Sequence, residues 1–322
     1  MRAVQINETG GPEVMQVVDV PIPEAKPGQL VIDVAAAGLN FIDTYHRSGV
    51  YPVDLPFTLG KEVAGTVSSV GEGVDSLAVG DRVMTPWGVG GYADQCIAPA
   101  DFVYQLPDDV GFEMGAAAAL QGLTAHYLAT SSYTLRSGDQ CLIHAGAGGV
   151  GGLLIQMAKN VGAEVFTTAG NAEKAEIAKA HGADHVIIYT EEDFAAAVRR
   201  VIGEDGGLNV VYDGVGKSTF DAGLGLLRPR GTFVLFGGAS GQVPPFDLQR
   251  LNAGGSLFIT RPSLGHHIPP GEGRHRAAEL LQWIADGDVE ISIGARFPLE
   301  EAADAHRALE GRTTTGKVLL LP

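Results

Sequence analysis

Residues 141–152, Cys-Leu-Ile-His-Ala-Gly-Ala-Gly-Gly-Val-Gly-Gly, constrain this chain more than any other segment. A short apolar run with Leu142 and Ile143 leads into Gly146-x-Gly148-x-x-Gly151. Beyond it, Val150, Leu153, Leu154, Met157, Ala158 and Val161 recur with helical period on one face. Strand, glycine turn and helix together form the context in which GxGxxG carries meaning. Glycines permit the tight turn and let bare backbone N–H groups approach a pyrophosphate, while the helix N-terminus adds partial positive charge. An ordinary Gly-rich loop is the competing interpretation. The context favours a dinucleotide site.

A chain of 322 residues exceeds what one core usually serves, so two domains are expected. Glycine occurs 45 times, about twice the roughly 7% average usage, which points to many tight turns. A net charge of −16 argues against nucleic acid and anionic membrane as partners. The only cysteines, Cys96 and Cys141, are far apart and form no CxxC, so neither a disulfide framework nor a thiolate zinc site is expected. The start Met-Arg-Ala-Val-Gln-Ile-Asn-Glu lacks the apolar stretch of a signal peptide, and no apolar run is of membrane-spanning length. A cytoplasmic protein is expected.

Two textures divide the chain. Residues 1–120 read as β-rich, with short runs at 30–35, 65–70, 82–85 and 91–97 between Gly, Pro and Asp clusters, and no helical pattern until about Met114. Residues 121–264 alternate strand and helix. Strands are predicted at 140–145, 164–168, 185–188, 209–212, 231–236 and 256–260, with helices at 149–161, after Asn171 up to Gly182, at 192–202 and at 217–227. That alternation predicts an α/β fold, a Rossmann-type doubly wound parallel sheet beside a β-rich domain, with ligands at the carboxyl ends of the strands. Two amphipathic helices follow, one over Ala277–Ile284 ending at Gly287 and one over 299–310 ending at Gly311. The last strand, 317–321, has no place in the parallel sheet and is expected to return to the first domain.

The sequence also bears on which dinucleotide. NAD-binding units place an acid about 20 residues past the fingerprint to hold the ribose 2′-OH. Counting on from Gly151 reaches Thr168, Ala169, Gly170 and Asn171, with no acid. Lys174 stands in the first turn of the next helix, where it suits a 2′-phosphate, although flanking Glu173 and Glu176 also fit a solvated lysine. NADPH is favoured over NADH.

Several separated motifs resemble one family. They are Leu39-Asn-Phe-Ile-Asp-Thr-Tyr-His-Arg-Ser-Gly-Val-Tyr-Pro (39–52), Gly60-Lys-Glu-Val-Ala-Gly-Thr-Val (60–67), Gly80-Asp-Arg-Val, Gln121-Gly-Leu-Thr, the 146–151 fingerprint, Thr260-Arg-Pro-Ser-Leu and Gly316-Lys-Val-Leu-Leu-Leu-Pro. In this order they resemble the zeta-crystallin-like quinone oxidoreductases, the zinc-free branch of the medium-chain dehydrogenases/reductases. The resemblance spans essentially the whole chain. It implies a GroES-like domain over 1–120, completed by 265–322, and a Rossmann domain over 121–264 with a cofactor cleft between them. It also implies a homodimer joined through the sixth Rossmann strand near 255–261.

The same resemblance assigns residues. Asn40 is implied beside the nicotinamide, and Thr124 at the cofactor. Tyr127, Gly149 and Val150 are implied along the pyrophosphate, with Gly146, Gly148 and Gly151 in the fingerprint. Gly170, Lys174 and Tyr189 are implied at the adenosine ribose and its phosphate, Phe236 and Arg261 at the nicotinamide side, and Lys317 at the rim. Zinc-dependent relatives carry Cys where this chain has Asn40 and His where it has Lys61, so no metal is expected. His266-His267 reads as a solvated loop rather than a metal pair.

A metal-free reductase must stabilise charge on the acceptor oxygen with hydrogen-bond donors. Asn40, Tyr45 and Tyr51 are the candidates, with the tyrosines equally readable as structural groups satisfying backbone. Asp43 and Arg47 are expected to form an ion pair or a helix cap. The expected activity is NADPH-dependent reduction of small quinones. The alternatives are reduction of α,β-unsaturated ketones or aldehydes, and an NADPH-binding crystallin-like or regulatory protein with little turnover.

Overall fold

Six parallel strands form the sheet that carries the glycine fingerprint. Their spatial order is His185–Ile188, Glu164–Ala169, Gln140–Ile143, Leu208–Asp213, Leu227–Leu235 and Phe258–Thr260. The chain reverses direction across the sheet between Gln140–Ile143 and Leu208–Asp213, the switch point of a doubly wound sheet. The computed structural model describes residues 1–311 and 313–322. It divides the chain into two compact units, Thr124–His267 and the combination of Met1–Leu123 with Ile268–Pro322.

Sequence accounts for most of the second unit. The helix predicted at 149–161 spans Gly149–Asn160 and buries Leu153, Leu154, Met157 and Ala158. Asn171 caps Ala172–Ala180 by accepting from Lys174 N–H at 2.9 Å, and Asp193 caps Phe194–Ile202 in the same way. The core packs Leu142, Phe166, Val198, Val211, Phe220 and Phe233. One helix differs. The run predicted at 217–227 is helical only over Phe220–Leu224, because the chain turns early into Leu227–Leu235, a strand containing Pro229 and Gly231.

In the first unit a larger sheet orders its strands as Ile293–Pro298, Lys317–Leu321, Gln29–Gly38, Glu62–Val70, Arg82–Thr85 and Tyr104–Gln105, with Gln95–Pro99 also paired to Gln29–Gly38. A small sheet joins Gln16–Asp19, Arg2–Ile6 and Phe57–Thr58. The final strand pairs antiparallel with Gly38 and Ala37, carrying Lys317 into this unit. Buried Val4, Ile32, Val63, Val83, Leu299 and Leu320 fill the core. Among the described residues, no helix is long and apolar enough to cross a membrane.

Two elements depart from the sequence reading. Phe41–Ser48 is a helix although the sequence shows no helical pattern before Met114. Its buried residues are Asp43, Thr44, His46 and Arg47, so the buried stripe is polar and leaves no apolar period to detect. Ile293–Pro298 forms an edge strand with no fully buried residue but Leu299 beyond its end, which weakens its alternation.

Candidate functional site

The site residues fall into two groups, one on each unit. On the second unit, the turn after Gln140–Ile143 is held by the neighbouring strand. Thr168 Oγ1 accepts from Ala145 N–H and Thr168 O accepts from Gly146 N–H, both at 3.1 Å. Ala145 adopts a left-handed φ of 59°. Substituents are excluded at the key glycines. A Cβ on Gly146 would lie 2.2 Å from Thr167 Oγ1, and one on Gly151 would lie 2.3 Å from Ala145 O.

The Gly149–Asn160 helix begins with no side-chain cap and no acidic residue in its first turn. Its leading N–H groups lack intrahelical acceptors by the geometry of any helix. Gly148 is exposed and Gly149 and Val150 half-buried. Bare donors, partial positive charge and no competing carboxylate fit a pyrophosphate.

At the end of Glu164–Ala169 the chain presents Gly170 and Asn171. Tyr189, 48% exposed, brings its hydroxyl to 3.0 Å from where a Gly170 Cβ would stand. Thr190 Oγ1 donates to Gly170 O at 3.0 Å. Lys174, in the first turn of Ala172–Ala180, is half-buried. Gly170 and Tyr189 thus come together, with Lys174 four residues past Gly170. Thr124 is buried. Tyr127 is buried too, which pushes its hydroxyl up to about 12, and its ring lies parallel to His267 at 4.3 Å. Both histidines lie in a short helix, Leu264–His267, so the loop reading of His266-His267 is corrected; His266 is exposed, whereas His267 is half-buried and stacked on Tyr127.

Phe236 follows the fifth strand and packs near Gly214, while Arg261 is exposed with Nη1 donating to Pro262 O. Sequence reasoning missed Asp213 at the end of the fourth strand. This buried carboxylate accepts from the Val215 and Gly216 N–H groups at 2.6 and 2.9 Å and from Thr219 Oγ1 at 2.8 Å, shaping the following loop.

On the first unit, Asn40 opens the Phe41–Ser48 helix. Asp43 Oδ2 reaches back to Asn40 N–H at 2.9 Å, the carboxylate half of a capping box. The Asn40 amide turns elsewhere. Its Nδ2 donates to Glu62 Oε2 at 2.7 Å and Gly38 O at 3.2 Å, and its Oδ1 accepts from Lys317 Nζ at 2.9 Å and Gln121 Nε2 at 3.4 Å. All four hydrogen-bonding positions of this amide are occupied within the unit. Lys317 is 1% exposed and paired with Glu62, so its expected place at the rim is corrected: the Glu62 carboxylate draws the ammonium inward.

Glu62 accepts from Leu120 N–H with its other oxygen. Its signal in the sequence was a lone acid opening the otherwise apolar Val-Ala-Gly-Thr-Val strand. Tyr45 and Tyr51 meet edge to face at 5.4 Å, and Phe41 lies 6.5 Å from Tyr45. Tyr51 is 43% exposed.

Asp43 is fully buried and also accepts from Tyr92 Oη at 2.9 Å, yet burial outweighs these bonds and raises its pKa to about 6. Arg47 does not pair with Asp43. It donates to Gly10 O, to His306 Nδ1 at 2.9 Å and to Glu310, because the helix places it on the side facing the Ala302–Glu310 helix. The ion-pair expectation is corrected and the cap holds for Asp43 alone. Burial and Arg47 lower His306 to about 3, keeping its ring neutral. Lys61 is half-buried with its ammonium 6.0 Å from the Trp87 ring. Among the described residues, no cluster of three or more His, Cys, Asp or Glu is placed to hold a metal.

Residues 26–108 match the alcohol dehydrogenase GroES-like domain, and 149–286 match the family described as zinc-binding dehydrogenase. A doubly wound sheet with this fingerprint and a GroES-like sheet make the chain a medium-chain dehydrogenase/reductase. It is 43% identical to a Pseudomonas aeruginosa quinone oxidoreductase over all of this chain and 99% of that one. A solved mycobacterial structure complexed with NADPH is 50% identical, with a TM-score of 0.96 and full coverage of both chains. A 2-haloacrylate reductase from Burkholderia is 38% identical, covering 99% of this chain and 98% of its own. Within its class, the chain belongs to the quinone oxidoreductase family.

Proposed function

We propose that this protein is an NADPH-dependent quinone reductase that uses no metal. The observation that carries the reading is the uncapped Gly149–Asn160 helix start, with glycines that admit no Cβ, followed at the next strand end by Lys174 and no acid. The NADPH complex of the 50% identical mycobacterial relative supports the cofactor, and the Pseudomonas aeruginosa quinone oxidoreductase supports the acceptor.

Gly146, Gly148, Gly149, Val150, Gly151 and Tyr127 would hold the pyrophosphate, and Gly170, Lys174 and Tyr189 the adenosine ribose and its 2′-phosphate. Thr124, Phe236 and Arg261 would serve the nicotinamide end; Asn40 and Lys317, buried together on the first unit, would support the acceptor site. When bound, NADPH supplies hydride to the conjugated acceptor. Tyr45 and Tyr51 donate hydrogen bonds to the acceptor oxygen as it gains charge, and their edge-to-face pairing, with Tyr51 43% exposed, supports that role. A hydroquinone anion is delocalised, so water can complete protonation. Asn40, with its amide hydrogens committed, shapes the site rather than donating to the acceptor.

We place the catalytic domain at Met1–Leu123 with Ile268–Pro322 and the cofactor domain at Thr124–His267, a shift of three residues from the expected bounds, in a cytoplasmic homodimer. Phe258, 59% exposed on the outermost strand of the parallel sheet, supports that edge as the dimer contact. Reduction of activated alkenes is the second reading, favoured by the 2-haloacrylate reductase relative. NADPH oxidation followed at the nicotinamide absorbance separates the two. The proposal expects 1,4-naphthoquinone and benzoquinone to exceed 2-chloroacrylate and methyl vinyl ketone in kcat/KM, without loss on adding chelator. The reverse ranking establishes the second reading, and chelator-sensitive turnover contradicts metal-free chemistry.

A further inference from the structure

We infer that Glu62 and Lys317 are positioning residues that set which way the Asn40 amide faces; the inference rests on the reading of this cluster as part of the quinone-reducing site. An amide's two ends are nearly equal in shape, so their neighbours decide the orientation. A carboxylate only accepts and an ammonium only donates. Glu62 Oε2 therefore requires Asn40 Nδ2, and Lys317 Nζ requires Asn40 Oδ1. Each charge alone would specify the orientation, and the pair specifies it twice.

The partners come from distant parts of the chain. Glu62 opens one strand, Lys317 opens the last, and Asn40 precedes the Phe41–Ser48 helix. Glu62 and Lys317 are 0% and 1% exposed. Withdrawing two charges from water is costly, and an apolar pair of similar volume often serves stability as well. Cohesion is thus a weak reason for charges at this depth, whereas an enforced amide orientation is one that only they supply. The second carboxylate oxygen is anchored by Leu120 N–H, so Glu62 cannot rotate away without losing that bond.

A neutral replacement shows what the charges contribute. In the E62Q/K317M protein, Leu120 N–H takes the new amide oxygen and leaves its nitrogen toward Asn40. The thioether that replaces the ammonium donates nothing. Asn40 then turns its own oxygen toward residue 62 and loses the bond to Gly38 O.

The test compares wild type, E62Q, K317M and E62Q/K317M in thermal midpoint, in kcat and KM with NADPH and 1,4-naphthoquinone, and in exchange of the Asn40 side-chain amide protons, assigned by their loss in N40A. Each single variant, left with one uncompensated buried charge, should lose midpoint and kcat. The double variant should recover most of the midpoint while kcat stays at least about tenfold below wild type and KM for NADPH moves less than about threefold. The amide protons should lose protection in E62Q and in the double variant, where the carboxylate that takes them is gone, and least in K317M, where Glu62 still holds the orientation. Return of kcat to within about twofold of wild type in the double variant makes the pair merely structural and overturns the inference. If wild type reduces no quinone, the functional reading falls, and the exchange data decide alone: undiminished protection in all three variants overturns the positioning role.

Discussion

Asp43 and His306 flank Tyr92 and answer acid in opposite senses. Tyr92 Oη donates to Asp43, while its ring meets His306 edge-on at 5.9 Å. His306 is held at about 3, below its usual 6.5. The unfolded chain therefore binds the extra proton between those values, and stability is lost as pH falls from 6.5 toward 3. Asp43, raised to about 6 from 3.8, gives the folded state the extra proton, so stability at that site is lost as pH rises from 3.8 to 6. His306→Gln keeps an acceptor for Arg47 but cannot titrate. Urea unfolding at pH 7 and pH 5 should show H306Q spared roughly 2 kcal/mol of the acid loss suffered by wild type. Equal losses in both proteins would show that His306 is not held neutral. At the aromatic edge, Y45F/Y51F should lower kcat for 1,4-naphthoquinone by about 10²-fold with little change in KM for NADPH. Steady-state kinetics with unchanged kcat would remove the two hydroxyls from the chemistry.

Among individual residues, the fingerprint glycines were the legible ones, because what the turn demands of them lies in the backbone. Gly146 and Gly151 stand where no Cβ fits, and that requirement is written in their identity. Glu62 was missed because its role depends on Lys317, which lies 255 positions away. The Arg47–His306–Glu310 set likewise joins ends of the chain that no local pattern connects.

The same contrast holds among elements. Gly149–Asn160 was legible because it buries an apolar face against a sheet, and Phe41–Ser48 was not because it buries polar groups. The marks of that second helix were its ends: Asn40 and Asp43 at the entry, and Gly49 in the left-handed conformation at the exit. The glycine turn gives the sharpest test at this scale. Gly151→Ala sets a Cβ against the Ala145 carbonyl, so the turn must shift. Its expected effect is at least about a tenfold weaker NADPH affinity, from the loss of one or more N–H contacts to the pyrophosphate. Fluorescence titration showing wild-type affinity in G151A would contradict the assignment of this turn to the cofactor.

For the whole molecule, the alternation of strand and helix between residues 140 and 260 foretold a doubly wound sheet, since each crossover is local in sequence and helical connections order parallel strands. The other sheet is assembled from distant segments, with Lys317–Leu321 inserted between Ile293–Pro298 and Gln29–Gly38. Sequence indicated that this strand was surplus to the parallel sheet and would return to the first domain, but not where it would insert. Its partner, and the burial of Lys317 that follows from it, are properties of the folded chain.

Cofactor choice joins these scales, because in the proposed reading a lysine at a helix start selects the dinucleotide that the whole enzyme uses. The direct measurement is kcat/KM for NADPH and NADH, with 1,4-naphthoquinone as acceptor, in wild type and Lys174→Ala. Wild type should prefer NADPH, and K174A should lose about 10–100-fold of that preference through KM for NADPH, with NADH kinetics little changed, as expected for one charge-assisted contact to a phosphate. Turnover of quinone with neither cofactor, or a wild-type preference for NADH, would contradict the assignment of this chain as an NADPH-dependent quinone reductase.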